Sequence, residues 1–174
     1  VGPQEEVTVT PQQREAEWLC TTSMGDGLPS LLKADGGPWD VVQAYWPRTP
    51  PRHKTAIYVL RPQFAETRLS NQRKLQTHTF RLKCLWPIGA TTTQSGLWED
   101  EQQAFDEAVD LVLERVRGTL MDHTHGGRFL SVAEAPDGSR INVSFSDPEQ
   151  HSGSSPAALR ADITYLADDR DFTA

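Results

Sequence analysis

Residues 99–120 place Phe105, Ala108, Val109, Val112, Val116 and Leu120 on one stripe, with Leu111 and Leu113 widening it. This is the spacing of a long helix with one buried face. Acidic residues crowd its first turn and Arg115 and Arg117 its last, as the helix dipole favours, and Gly118 weakens its end. Such a helix needs an apolar surface to lie on. Residues 77–86 supply one: Phe80, Leu82, Cys84 and Trp86 alternate with Thr79, Arg81, Lys83 and Leu85, the period of a strand with one buried face. Pro87 ends its pairing.

The other elements fit around this pair. Thr10 as N-cap and Pro11 at the first helical position predict a helix from Pro11 that carries Trp18, Leu19 and Met24 on its apolar side. The stretches WDVVQAYW (39–46) and TAIYVL (55–60) read as strands, separated by the proline-rich, exposed loop PRTPPRHK. Residues 61–76 show no strong period and read as a long basic loop or protruding hairpin. RFLSVAEA (128–135) and RINVSFS (140–146) flank PDGS and read as a hairpin, and LRADITYLA (159–167) reads as the last strand. The expected architecture is α+β: an antiparallel or mixed sheet with one long amphipathic helix packed on it, plus an N-terminal helix. Its 174 residues suffice for one domain, 1–174, with a loose segment at 1–9 and an acidic tail at 168–174.

Composition narrows the function. No apolar run approaches the roughly 20 residues that span a bilayer, so no membrane partner is expected. The opening VGPQEEVTVT is acidic and polar, unlike a secretory leader. Cys20 and Cys84 are the two cysteines, and Cys84 falls in an apolar strand pattern, as expected of a reduced, buried thiol in a cytosolic protein. The net charge of −7 is distributed unevenly. Residues 48–83 hold nine Lys/Arg against one acid, whereas residues 99–122 hold eight acids against two Arg. A globally acidic chain repels nucleic acid at long range. A basic segment within an acidic chain suits head-to-tail contact between copies.

Catalytic signatures do not emerge. There is no Gly-x-Ser-x-Gly elbow and no Gly-rich phosphate loop. Glu99, Asp100 and Glu101 sit at a helix start, where the dipole accounts for them. In DHTHGG, His123 and His125 are spaced to share a metal on a strand, but Asp122 is the only helper nearby. A turn after the helix, with the histidines near the helix C-terminal carbonyls, is the favoured reading, and a metal-dependent enzyme using His123 and His125 is the outlying alternative. No catalytic residue, cofactor or metal ligand is assigned. Arg68, Arg73 and Lys74 in RLSNQRKLQ lack interleaved aromatics and fit a protein-docking arm better than a nucleic-acid patch. Leu97 and Trp98, just before the helix, read as a hydrophobic staple or an interface anchor.

The stretches TFRLKCLWPIG, DEQQAFDEAVDLVLERVRG, HGGRFLSVAEAP and LRADITYLADDRDFTA together resemble tail terminator proteins of long-tailed (siphovirus-type) bacteriophages, particularly those infecting actinobacteria. The resemblance implies a non-enzymatic virion protein at the head–tail junction, made in the bacterial host cytoplasm. It implies a homo-oligomeric ring, usually a hexamer, that caps the tail tube, ends its polymerisation and docks to the neck proteins. DNA passes through the lumen with only transient, non-specific contact. Expected interface residues are Arg68, Arg73, Lys74, Leu97 and Trp98, with Asp168, Asp169, Arg170, Asp171 and Phe172 of the tail. The acids of the lumen belong either to residues 99–110 or to the tail. A different neck component, a stopper or completion protein, is the alternative, and the basic stretch 61–76 matches no motif of the terminator family.

Overall fold

The computed structural model describes residues 9–21, 27–51, 53–88, 95–119, 122–133, 141–146 and 158–172, with the backbone alone for 95–97 and 170–172. Helix α1 is Pro11–Cys20, followed by a single 3-10 turn at Lys33–Asp35. The strands are β1 (Val41–Ala44), β2 (Ala56–Arg68), β3 (Arg73–Pro87), β4 (Ser131–Val132), β5 (Asn142–Phe145) and β6 (Ala158–Phe172), and helix α2 (Ser95–Arg117) lies between β3 and β4. The sheet runs β1-β2-β3-β6-β4, with β5 also on β6. β1 and β2 are parallel, and the other pairs are antiparallel. The α+β class expected from the periodicities is the fold observed: among the described residues, a mixed six-stranded sheet with two helices.

Local chemistry explains α1. The Thr10 hydroxyl accepts from Gln13 N while the Gln13 amide oxygen accepts from Thr10 N, a reciprocal capping box that satisfies two amides the helix cannot pair. Gln12, Glu15, Ala16, Trp18 and Leu19 then fall on the buried side. The expected extension to Met24 lies outside the described residues.

α2 buries Phe105, Ala108, Val109, Val112 and Val116 against Phe80, Leu82, Ile57, Val59, Ala161 and Ile163 of the sheet. Each large apolar side chain removed from water contributes about 1.5–3 kcal/mol. Trp39 joins the layers. It is fully buried, stands edge-on to Trp86 (5.4 Å between ring centroids) and Phe105 (6.5 Å), and donates its indole N–H to the Ala108 carbonyl at 3.4 Å. The chain reaches Trp39 through a turn that only glycine fits: a Cβ on Gly37 would collide with the carbonyl oxygens of Leu31 and Ser30.

Five expectations change. α2 begins at Ser95 rather than Glu99, so Trp98 lies inside its first turns and packs on the core instead of preceding the helix. It ends at Arg117, where Gly118 turns to φ 68°. The 61–76 stretch is not a loop: β2 continues through Arg68 and β3 begins at Arg73, with a register shift between Leu60 and Gln63. The backbone of the acidic tail likewise continues β6 through Phe172, paired to Arg73.

The last difference concerns the expected hairpin of 128–135 with 140–146. β4 and β5 do not pair with each other among the described residues. Ser131 and Val132 face Asp168 and Ala167, while Asn142–Phe145 face Thr164 to Ala161. The two segments lie in line along one edge of β6, and Ala133, at the end of the first, takes φ 57°. The PDGS turn lies outside the described residues.

Candidate interaction surface

Past the end of β1, β2, β3 and β6 run on as a three-stranded arm. From Leu60 to Arg68, β2 extends about 25 Å at the usual strand rise of ~3.3 Å per residue. β1 covers β2 only as far as Val59, so no described residue pairs with the outer edge of the arm on that side. Phe64, Leu69 and Leu166 are 53%, 54% and 40% exposed, values that leave about half of each apolar side chain in water.

The predicted interface residues divide into two groups. Arg68 is exposed at the arm tip and donates to the Ser70 carbonyl and to Asn71 Oδ1 at 3.3 and 3.2 Å. Arg73 opens β3 and is exposed. Lys74 pairs with Glu66 at 3.4 Å, and Gln76 donates to the same carboxylate at 2.9 Å. The Gln76 hydrogen bond, with Lys74 beside it, holds the Glu66 carboxyl below its usual range. These residues stay together on the arm.

The Asp168 and Asp169 side chains make contacts inside the chain. The Thr77 hydroxyl donates to Asp168 Oδ1 at 2.7 Å, and the Asp168 carbonyl accepts from Leu130 N at 2.8 Å. Asp169 accepts from Arg14 at 2.6 Å, tying β6 to α1. Arg170, Asp171 and Phe172 contribute backbone pairing to β3. The Leu97 side chain lies outside the described atoms.

The base of the arm holds a buried charged cluster. His78 is fully buried, between Phe64 and Phe80. A guanidinium can only donate, so His78 Nδ1 accepts from Arg61 at 3.3 Å, which directs Nε2–H toward Asp169, 3.8 Å away. Burial pushes the Asp169 carboxyl up, but His78 and Arg14 outweigh it and the net shift is downward. The Asp122 carboxyl is also lowered, first by the Thr124 hydroxyl at 2.6 Å, then by the Thr124 and Gly126 amides.

Both carboxylates therefore stabilise the fold fully above their unfolded pKa, near 4, and lose that contribution as pH falls through their lower folded values. The contribution of these two carboxylates to the melting temperature is expected to be constant from neutral pH to about pH 5 and to fall below about pH 4. Asp122→Asn should lose part of that acid slope. An unchanged slope in a thermal-unfolding series against pH would remove Asp122 from the account.

DHTHGG turns out to be a structural lock. His125 is 1% exposed and takes φ 52°. Its Nε2 lies 2.8 Å from the Val116 carbonyl and its Nδ1 2.9 Å from Glu15 Oε2. The carbonyl only accepts, so Nε2 carries a proton, and the Glu15–Nδ1 contact shares a second. The Tyr165 hydroxyl donates to the other Glu15 oxygen. Burial, then the Glu15 charge, pushes the Tyr165 phenol well above its usual value. Trp18 stacks on the imidazole at 4.8 Å and 12°.

A metal at His125 would have to displace Glu15 or the Val116 carbonyl. No three His, Cys, Asp or Glu side chains converge as a metal site among the described residues. The expected contact between a DHTHGG histidine and the C-terminal carbonyls of α2 is the one seen. The partners Glu15 and Tyr165 were not legible in the sequence, being 110 and 150 residues from those they bind.

A second surface lies at the opposite end of the sheet. Phe105, Phe145 and Leu159 line a groove of about 410 Å³, rimmed by Gln102, Gln103 and Asp106. Phe145 is 49% exposed and stands edge-on to Phe105 at 6.0 Å. The sequence matches no family model and no curated protein.

Proposed function

We propose that this chain is a structural ring subunit, a tail terminator that caps a phage tail tube, ends its polymerisation and presents a docking surface to the neck. The observation that carries this reading is the arm: three paired strands project past the core and hold exposed Phe64 and Leu69 beside Arg68 and Arg73. Phe64 covers His78 within the chain yet leaves about half of its surface in water, as Leu69 does, and an assembling subunit can bury that surface against a neighbour. The buried His125–Glu15 pair is also spent on architecture. His125 and Glu15 satisfy each other and a backbone carbonyl, leaving no free ring nitrogen for proton transfer to a substrate.

Sheet content favours this reading over a helical head–tail adaptor, because six strands carry the fold here. No helix among the described residues is long and apolar enough to cross a membrane. The proposed location is the head–tail junction of the virion, with copies of itself, the tail-tube protein and the neck proteins as partners and DNA as passing traffic.

Negative-stain microscopy of the purified protein mixed with the tail-tube protein of the same virus tests the proposal. Rings at the ends of tubes of fixed length are the expected result. Tubes that elongate without end and carry no caps would reject it.

A further inference from the structure

The arm tip and the groove lie at opposite ends of the same strands. Leu159 pairs with Trp86 at the groove end, and Phe172 pairs with Arg73 at the arm end. At ~3.3 Å per residue, the run of β6 from Leu159 to Phe172 separates them by roughly 40 Å. The arm cannot fold back into its own groove, so an arm tip that enters the groove belongs to another copy.

The two surfaces match in chemistry. The arm offers Leu69, 54% exposed, between Arg68 and Arg73. The groove offers an apolar floor of Phe105, Phe145 and Leu159 with Asp106 on its rim. The exposed side of α2 continues the acidic field through Glu107 and Asp110. Across residues 61–76 there are four Lys/Arg against one acid, whereas α2 holds seven acids against two Arg, one of them the buried Arg115. Apolar contact at the centre with opposite charges on the rim is the usual composition of a specific interface.

We infer that the arm tip of one copy seats in the α2–β5 groove of the next copy, with Leu69 over Phe105 and Phe145 and with Arg68 and Arg73 facing Asp106 and Asp110. The contact is heterologous, joining two different patches on identical chains, and repetition closes it into a ring when the rotation permits. This rests on the ring reading above and gives that ring its subunit joint.

Charge exchange tests the joint. One full-length variant carries Arg68→Glu and Arg73→Glu, a second carries Asp106→Lys and Asp110→Lys, and a third carries all four. Self-association is read by sedimentation across a concentration series, and at tube ends by microscopy. Each pair alone should weaken association about tenfold or more, and the fourfold variant should recover it. All these positions are on the surface, and a thermal melt checks that each variant is folded.

An independent measurement mixes a Leu69→Cys chain with a Gln103→Cys chain under mild oxidation. A heterodimer in excess of either homodimer is expected. If the wild type forms rings that the charge reversals leave intact, or if no heterodimer appears, the joint lies elsewhere and the ring reading stands. If the wild type neither associates nor caps tubes, both fall together.

Discussion

Replacing His125 with alanine is expected to lower the unfolding free energy by about 3–5 kcal/mol, the range for removing one partner of a buried, hydrogen-bonded charged pair. Three interactions go at once. Glu15 Oε2 loses its partner at 2.9 Å, the Val116 carbonyl loses its donor at 2.8 Å, and the face of Trp18 loses a ring stacked at 4.8 Å. Glu15 is fully buried, so water cannot step in without opening the space between α1 and β6. For a domain of 174 residues this corresponds to a fall in melting temperature of about 10 °C.

Tyr165→Phe separates the network from simple packing. It removes one hydroxyl and leaves His125 and Glu15 together, so about 1–2 kcal/mol is expected. His125→Ala within about 1 kcal/mol of the parent by chemical denaturation would show that the lock is not what holds α1 to the sheet.

Trp39→Ala is expected to cost a similar amount, about 3–5 kcal/mol, through a different term. Here the loss is a cavity. Trp39 is fully buried and packs edge-on against Trp86 and Phe105, one from β3 and one from α2. Its removal empties the contact between helix and sheet, and Gly37 behind it belongs to a turn too tight to move inward. Trp39→Phe keeps most of the ring volume and loses only the 3.4 Å bond to the Ala108 carbonyl, so about 1–2 kcal/mol is expected. Equal losses for alanine and phenylalanine would assign the effect to that hydrogen bond and not to packing.

Several elements were legible from neighbouring residues alone. The capping box at Thr10 needs only four consecutive residues. The stripe of α2 and the alternation of β3 are periods that a short window contains, and both identify the buried side chains: Phe105, Val109, Val112 and Val116 on the helix, Phe80, Leu82 and Cys84 on the strand. Cys84 is a buried, free thiol, and burial pushes its pKa far up, as its place in the strand implied. Boundaries were less legible. Ser95 and Gly96 read as a connector by propensity, yet the helix includes them.

The arm shows where local reading stops. Residues 61–68 and 73–76 alternate weakly because neither face is buried there, and a strand without a buried face leaves no period to detect. The two segments pair with each other, and 73–76 pair on their other side with β6, whose Asp168, Asp169 and Asp171 read as a solvated tail. Opposite charge is visible in a sequence; the register that sets Lys74 beside Asp171 is not.

The sequence by itself determined the α+β class, the faces of β3 and α2 that form the core, and the segregation of basic from acidic segments, because each depends on spacing within a few residues. The tertiary structure alone decided that β4 and β5 lie in line on β6, that the basic stretch is a paired arm, and that Glu15, His125 and Tyr165 meet. Those outcomes depend on contacts between residues far apart in the chain, set by how the whole apolar surface is buried and not by any local preference.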